Sequence, residues 1–456
     1  MKDASPTSKK LNLFDSAMII MGSMIGSGIF IVSADIARSV HTPGMLLAVW
    51  LLTAVITLMG ALSYGELSAM MPKAGGQYIY LKEAFNPLFG FLYGWTLFTV
   101  IQTGTIAAVG VAFAKFSGVL FPFINDEPLG FSIGTFAITN QRIIGILAVW
   151  LLTILNLRGV KSGAMIQNIF TVTKVGALLL VILAGFGLGM SGNGNVQNFQ
   201  PLFPSEWEWG MVGIFAAAMV GSLFSSDAWN NITFTAGEIQ KPQRNIPLSL
   251  LIGTGVVSLL YILANVIYIY VLGMEGIAGA KSDRVGTALL ENLLGSGGEL
   301  VMTGLILIST FGCLNGMILS GARVYYAMAK DGYFLKPAEK LNANQVPSNA
   351  LFLQAIWASL LTLSGKYGDL LDYVIFAVLI FYILTVAGLI RLRITQPDRE
   401  RPYKVIGYPF VPVLYIVLAT FICVFLLVMK PEFSFAGLGI VLLGVPVYFW
   451  TKRKLN

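Results

Sequence analysis

Long apolar stretches recur along this chain, separated by short polar connections, and each is close to the ~20 residues a helix needs to cross a ~30 Å hydrocarbon core. The pattern predicts helical spans at 15–38, 43–69, 87–117, 141–156, 163–190, 209–235, 246–272, 299–328, 348–364, 369–390, 409–429 and 431–451. Twelve spans make an all-α membrane protein whose termini share one side. The connections are too short for a soluble domain, so any chemistry belongs within the membrane or at its faces. Composition agrees: 56% of the residues are apolar and 11% charged, too little polar surface to coat a water-soluble globule of 456 residues.

Two of the spans are interrupted. The first contains Gly26-Ser27-Gly28 near its middle, where glycines loosen a helix. The sixth is interrupted at a comparable depth by Ser225-Ser226-Asp227, with Gly221 before it and Asn230-Asn231 after. In hydrocarbon every backbone N–H and C=O must be satisfied, so unwound backbone persists where it lines a polar cavity or binds a ligand. Paired breaks five spans apart point to an inverted repeat with a site at the midplane. Repeat A then covers 15–190 (spans 1–5) and repeat B 209–392 (spans 6–10). Two further spans follow at 409–451, with tails at 1–14 and 452–456. Gly22 and Gly26 also fit the small-xxx-small spacing of close helix packing, a competing reading of the first break taken alone.

Peptide dipoles say what such breaks can hold. Free N–H groups around Gly26, Ser27 and Gly28 suit a carboxylate, as helix N-termini do. Free carbonyls near Met24 and Ile25, and across the site near Phe224 and Ser225, suit an ammonium. A zwitterion has one end for each, and α-amino acids are the commonest metabolites of that shape. Asp227 either joins the ammonium side or caps N–H groups of the following half-helix. Phe224 is placed to cover a bound side chain as a gate, or simply packs. Gly22, Thr105 and Asn230 are candidate pocket residues, as is Asn315, for which a helix–helix hydrogen bond is the equal alternative.

Lys174 lies deep in the fifth span, too far from either face to snorkel. It is either a fixed cation or a proton carrier. Glu66, Glu238 and Arg323 fall near span ends on one side and could form an ion-pair latch, with solvated helix ends as the plain alternative. The basic run Arg391 to Lys404 reads as a topology anchor.

Charge orients the chain. With both termini cytoplasmic, twenty Lys and Arg lie on the inner side, among them Lys2, Lys9, Lys10, Lys161, Lys452, Arg453 and Lys454. Seven lie outside: Arg38, Lys115, Arg142, Lys281, Arg284, Lys366 and Lys430. This bias predicts a multi-pass protein of the inner (plasma) membrane. The net charge of +7 is explained by basic helix ends facing anionic membrane lipids, so no nucleic-acid partner is expected. The polar start Met1 to Lys10 does not read as a cleaved signal. Cys313 and Cys423 lie inside spans, and His41 is the lone histidine, so neither a metal site nor a cofactor is expected. With no nucleophile–base pair, an enzyme is not expected either; a non-transporting amino acid sensor stays as a minor alternative.

Six ordered segments carry a resemblance. They are Gly22-Ser-Met-Ile-Gly-Ser-Gly-Ile-Phe30, Tyr64-Gly-Glu-Leu67 with Met71-Pro-Lys-Ala-Gly-Gly-Gln-Tyr78, and Leu223-Phe-Ser-Ser-Asp-Ala-Trp-Asn230. The others are Gly237 to Pro247, Arg323 to Gly332 and Arg401 to Pro409. Together they resemble the amino acid-polyamine-organocation superfamily, and within it the L-type amino acid transporter family, over nearly the whole chain. The resemblance implies a LeuT-type five-plus-five fold, with spans 1, 2, 6 and 7 moving against a scaffold of spans 3, 4, 8 and 9. It implies carboxylate binding at Ser27 and Gly28, and amine binding at the carbonyls of Met24, Phe224 and Ser225, with Asp227 as a further candidate and Phe224 as gate. It sets Lys174 where sodium-coupled relatives hold Na+, which implies sodium independence. The expectation is a secondary transporter of neutral L-amino acids, as exchanger or, alternatively, proton-coupled symporter. Ser226-Asp227-Ala228 departs from the Tyr-Gly-Gly of many animal members. The loop Phe121 to Gln141 lacks the cysteine by which animal members join a heavy subunit, so no heavy-chain partner is expected and the chain looks like a stand-alone prokaryotic member.

Overall fold

A computed structural model describes residues 11–133, 136–364 and 367–455. Lys2, Lys9, Lys10 and Lys366, which entered the charge comparison, lie outside the described residues, as do the side chains of Lys161, Arg453 and Lys454.

The chain begins with α1 (Leu13–Met24), whose start is fixed by a capping box: Asn12 and Asp15 each accept the other's backbone N–H. After the first break come α2 (Ser33–Val40), α3 (Pro43–Met70), α4 (Gln77–Ala84), α5 (Pro87–Thr96) and α6 (Gln102–Leu120). Residues Leu97–Ile101 join α5 to α6 by a π-helical turn. The carbonyl of Thr99 inside that turn accepts the Trp357 indole N–H at 3.0 Å. Next are strands β1 (Pro128–Ile133) and β2 (Phe136–Thr139), then α7 (Asn140–Asn156) and α8 (Val160–Leu188). The second half holds α9 (Trp209–Ser225), α10 (Asn231–Phe234), α11 (Pro242–Ala278), α12 (Val285–Leu294) and α13 (Ser296–Lys330). It closes with α14 (Ser348–Ser364), α15 (Tyr367–Thr395), α16 (Phe410–Met429) and α17 (Pro431–Leu455).

Among the described residues, eight helical runs are long and apolar enough to cross a membrane. Five more apolar helices are shorter, including the half-helices α1 and α9 that precede the two breaks. The long helices begin and end close to the predicted limits. Three elements depart from the expectation. β1 and β2 form an antiparallel hairpin, so the chain is not wholly α-helical. The segment 128–139 is rich in β-branched and aromatic residues, as strands prefer. It is pinned by Arg142, which is buried and donates to the carbonyls of Leu363 at 2.6 Å and Ala137 at 3.3 Å while facing Asp126. Two short helices, α4 and α12, occupy connections. α4 follows Gly75 and Gly76, both at positive φ, and a Cβ on Gly76 would lie 2.3 Å from Thr233 Oγ1. Only glycine lets that turn lie against the second broken helix.

The core holds α1 between α8, α11 and α13, with α3 packed along α11. An aromatic cluster fills the space beside the second break: Tyr64, Trp229 and Tyr382 meet edge-on or tilted, with centroids 4.9–5.7 Å apart.

Candidate functional site

The first break is a short extended step. α1 ends at Met24, Ile25 leaves helical geometry at φ −74° and ψ 97°, and the chain resumes in a 3-10 turn over Gly28–Phe30 before α2. At the second break α9 ends at Ser225, and Ala228 turns at φ +66° before α10. The two breaks touch. A Cβ on Gly28 would lie 2.1 Å from Ser225 Oγ, and one on Gly221 would lie 2.9 Å from Val32. Tyr261 of α11 joins them, its hydroxyl lying 3.0 Å from the Met24 carbonyl and 3.2 Å from that of Ser225. Sequence reasoning missed Tyr261, because a tyrosine amid an apolar span carries no mark separating it from a packing residue.

A cavity of about 20 Å³ lies between the breaks. Met24, Gly26, Ser27 and Gly28 form one wall, Phe224, Ser225 and Asp227 the opposite one, and Thr105 and Cys313 border it. A second cavity of about 10 Å³ adjoins it, lined by Gln77, Thr105, Asn230 and Tyr382, and a third of about 20 Å³ lies by Thr57, Ser226 and Tyr415. Asp227 borders all three. Each is about large enough for one water molecule. Anything the size of an amino acid therefore enters only if these walls move apart.

Asp227 takes the hydroxyl hydrogen bond of Tyr382 at 2.5 Å, linking the second break to α15. Asn230 donates to Gln77 Oε1 at 3.1 Å, and Gln77 donates to Thr385 Oγ1 at 3.0 Å, a second link from the same break to α4 and α15.

Ile25, Gly22 and Asn315 border none of the three cavities, and Lys174 lies behind the first break as the buried cation of the site. The Ile25 carbonyl accepts from Lys174 Nζ at 2.7 Å and from Ser309 Oγ at 3.2 Å, so it points away from the cavity. Gly22 packs α1 onto α8: its carbonyl also accepts from Lys174, and a Cβ there would lie 2.0 Å from Gln167 Nε2. Lys174 is buried and reaches a third carbonyl, that of Ser309 on α13, at 3.3 Å. A cation at the carbonyl end of α1 is what the helix dipole favours. Asn315 is buried between α7 and α8, accepting from Asn156 at 2.9 Å and donating to Gln167 at 2.9 Å. It borders none of the three cavities.

The expected three-residue latch resolves into two separate ion pairs. Arg323 meets Glu238 at 2.9 Å. Glu66, fully buried, is bound by Arg393 at 2.8 and 2.6 Å and by the backbone N–H of Val405 at 2.7 Å, with Arg401 at 3.5 Å. Arg393 comes from the last turn of α15, and the segment between α15 and α16 folds over the end of α3 to supply Arg401 and Val405. Part of the basic run read as a topology anchor is therefore spent on an internal carboxylate. Tyr408 stacks under the Arg393 guanidinium, 3.7 Å from its ring centre, and Tyr403 lies against Gly65. Burial, and then the Glu66 charge, push the Tyr403 phenol above its ordinary pKa. Tyr78 of α4 shifts the same way through burial and its 2.7 Å hydrogen bond to Asp331. Among the described residues no group of three or more His, Cys, Asp or Glu could hold a metal ion.

Apolar helices of membrane-crossing length, with two interrupted helices meeting at a buried polar cavity, are the build of a membrane permease. The amino acid permease family profile matches residues 11–449, and this chain belongs to that family, within the amino acid-polyamine-organocation superfamily. The large neutral amino acids transporter small subunit 2 of Homo sapiens is 32% identical over 450 residues, 97% of this chain and 80% of the relative. The b(0,+)-type amino acid transporter 1 of Homo sapiens is 30% identical over 448 residues, 97% of this chain and 87% of the relative. The same transporter of Mus musculus is 28% identical over 444 residues, with the same two shares. The protein is accordingly a multi-pass membrane protein of an amino acid transport family, and not an enzyme.

Proposed function

We propose that this chain is a sodium-independent secondary transporter of neutral L-amino acids across the inner membrane, an exchanger working by alternating access. The observation that carries the reading is the meeting of two helix breaks, Met24 to Gly28 of one and Phe224 and Ser225 of the other, around one cavity. The substrate carboxylate sits on the N–H groups of Ser27 and Gly28. Its ammonium sits on the carbonyls of Met24 and Ser225, beside the Tyr261 hydroxyl that both already accept, and on that of Phe224. Lys174, held by three carbonyls, supplies the positive charge that a sodium ion would otherwise bring. Thr105 and Asn230 border the side-chain end.

In this reading α1 with α2 and α9 with α10 are spans one and six of a twelve-span, five-plus-five inverted repeat with both termini cytoplasmic. The chain works without a heavy subunit, since the loop 121–141 has no cysteine to tether one. A neutral substrate is in keeping with the similarity to the large neutral amino acids transporter small subunit 2 of Homo sapiens. The buried pair of Asp227 and Tyr382 favours one second reading, a proton-coupled symporter in which that carboxyl titrates.

Uptake of labelled alanine into proteoliposomes, empty or preloaded, in sodium-free buffer with and without an inward proton gradient, tests both. Uptake only into preloaded vesicles, indifferent to the gradient, is the expected result. Gradient-driven accumulation in empty vesicles would replace exchange with symport, and absence of flux in every arm would overturn the transport reading.

A further inference from the structure

α8 carries Asn168, Thr171 and Lys174 one helical turn apart, so they form a row on one face. Every member of the row reaches α1. Asn168 Nδ2 donates to Asp15 Oδ1 at 2.7 Å, Thr171 Oγ1 donates to the Met18 carbonyl at 3.0 Å, and Lys174 Nζ donates to the carbonyls of Gly22 and Ile25. The donors and acceptors advance along their helices together, at separations of 153, 153, 152 and 149 residues. Two parallel helices are thus stitched from the first turn of α1 to its last. The stitch begins on the capping box itself, because Asp15 uses its other oxygen to hold the N–H of Asn12 at 3.0 Å. Lys174 belongs to the site already described, whereas the other two rungs touch neither cavity nor ligand positions.

We propose that Asn168 and Thr171 are positioning residues that hold α1 closed against α8 and set how often this half-helix lifts away. The inference rests on the alternating-access reading, in which α1 must separate from a fixed α8. A hydrogen bond between membrane helices is worth ~0.6–1.7 kcal/mol, so losing one rung raises the lifted population roughly 3- to 20-fold.

The chain contains its own reporters. Cys313 on α13 is buried, with its thiol 2.9 Å from the Ser23 carbonyl of α1, so lifting α1 uncovers it. Cys423 is also buried, on α16, a helix that packs against α3, α9, α15 and α17. The experiment is the rate of N-ethylmaleimide labelling of each cysteine in the full-length protein, read by peptide mass spectrometry. N168A and T171V should each speed labelling of Cys313 by roughly 3- to 20-fold and leave Cys423 unchanged, with T171S, which keeps the hydroxyl, returning close to the native rate. N168S replaces N168A if the latter does not purify as a single species, with the same expectation. An unchanged rate at Cys313, or an equal rise at both cysteines, would overturn the inference. Labelling needs no substrate, so a native protein without flux in vesicles would sink the transport reading by itself and leave this result standing.

Discussion

Replacing Glu66 by glutamine should cost stability out of proportion to one atom. The side chain has no exposed surface and sits among Arg393, Arg401 and the N–H of Val405, so it is a buried carboxylate with every close partner donating to it. Breaking a buried pair by removing one charge costs about 3–5 kcal/mol, mostly because the surviving charge is left uncompensated. Arg393 keeps 19% of its side-chain surface exposed and recovers some hydration, which places E66Q near the low end, about 3 kcal/mol. R393Q should cost about 2–3 kcal/mol, since Arg401 stays behind at 3.5 Å as a second counter-charge. The double variant should then cost about 2 kcal/mol less than the sum of the two, the signature of groups in one network. Unfolding of the purified protein in mixed micelles, titrated with denaturing detergent and followed by tryptophan fluorescence, measures all three. A loss below about 1 kcal/mol for E66Q, or strict additivity in the cycle, would refute the reasoning.

Other perturbations address the broken helices. G28A puts a Cβ 2.1 Å from Ser225 Oγ and 3.1 Å from the Ser225 Cα, and the second contact is backbone that cannot rotate away. Alanine uptake should fall at least about tenfold, an energetic loss of about 1.4 kcal/mol or more, and native uptake would show that the breaks need not touch. Y261F removes a hydroxyl whose single proton is shared between two carbonyls, worth about 0.5–1.5 kcal/mol in all, so substrate affinity measured by calorimetry should weaken by about two- to tenfold; an unaltered affinity would mean the bridge is incidental. K174A leaves the carbonyls of Gly22, Ile25 and Ser309 without their cation. Transport should change while the protein remains folded, whereas native flux and native pH dependence would make this lysine purely structural.

Much of this architecture was legible because membranes impose severe rules. Span limits followed from unbroken apolar length, and both breaks were marked by small and polar residues at membrane depth, where hydrocarbon forbids unpaired backbone. Lys174 stood out for the same reason. What escaped was set by tertiary proximity. No local feature separates the Ile25 carbonyl, which faces Lys174, from that of Met24, which faces Tyr261, since one residue of helix rotation decides between them. Asn315 offered two futures in sequence, and its neighbours Asn156 and Gln167 chose the helix contact. Glu66 was grouped with Arg323 by depth alone, but its partner lay 327 residues on, in a segment whose charges also suited membrane topology. The hairpin was hidden in a connection where apolar alternation was too short to compete with the span pattern.

The wide turn at Leu97–Ile101 makes the winding of a single turn a determinant of what faces the cavities. A π turn contains one residue more than the α-helix it interrupts, so everything after it is rotated by about 100° from where an uninterrupted helix would carry it. Gln102 and Thr105 follow directly, and both line a cavity beside Asp227. A homologue of the same length that closed this turn into regular helix would keep the same fold and present a different set of side chains to its cargo. Aligned letter by letter, the two proteins would look nearly alike.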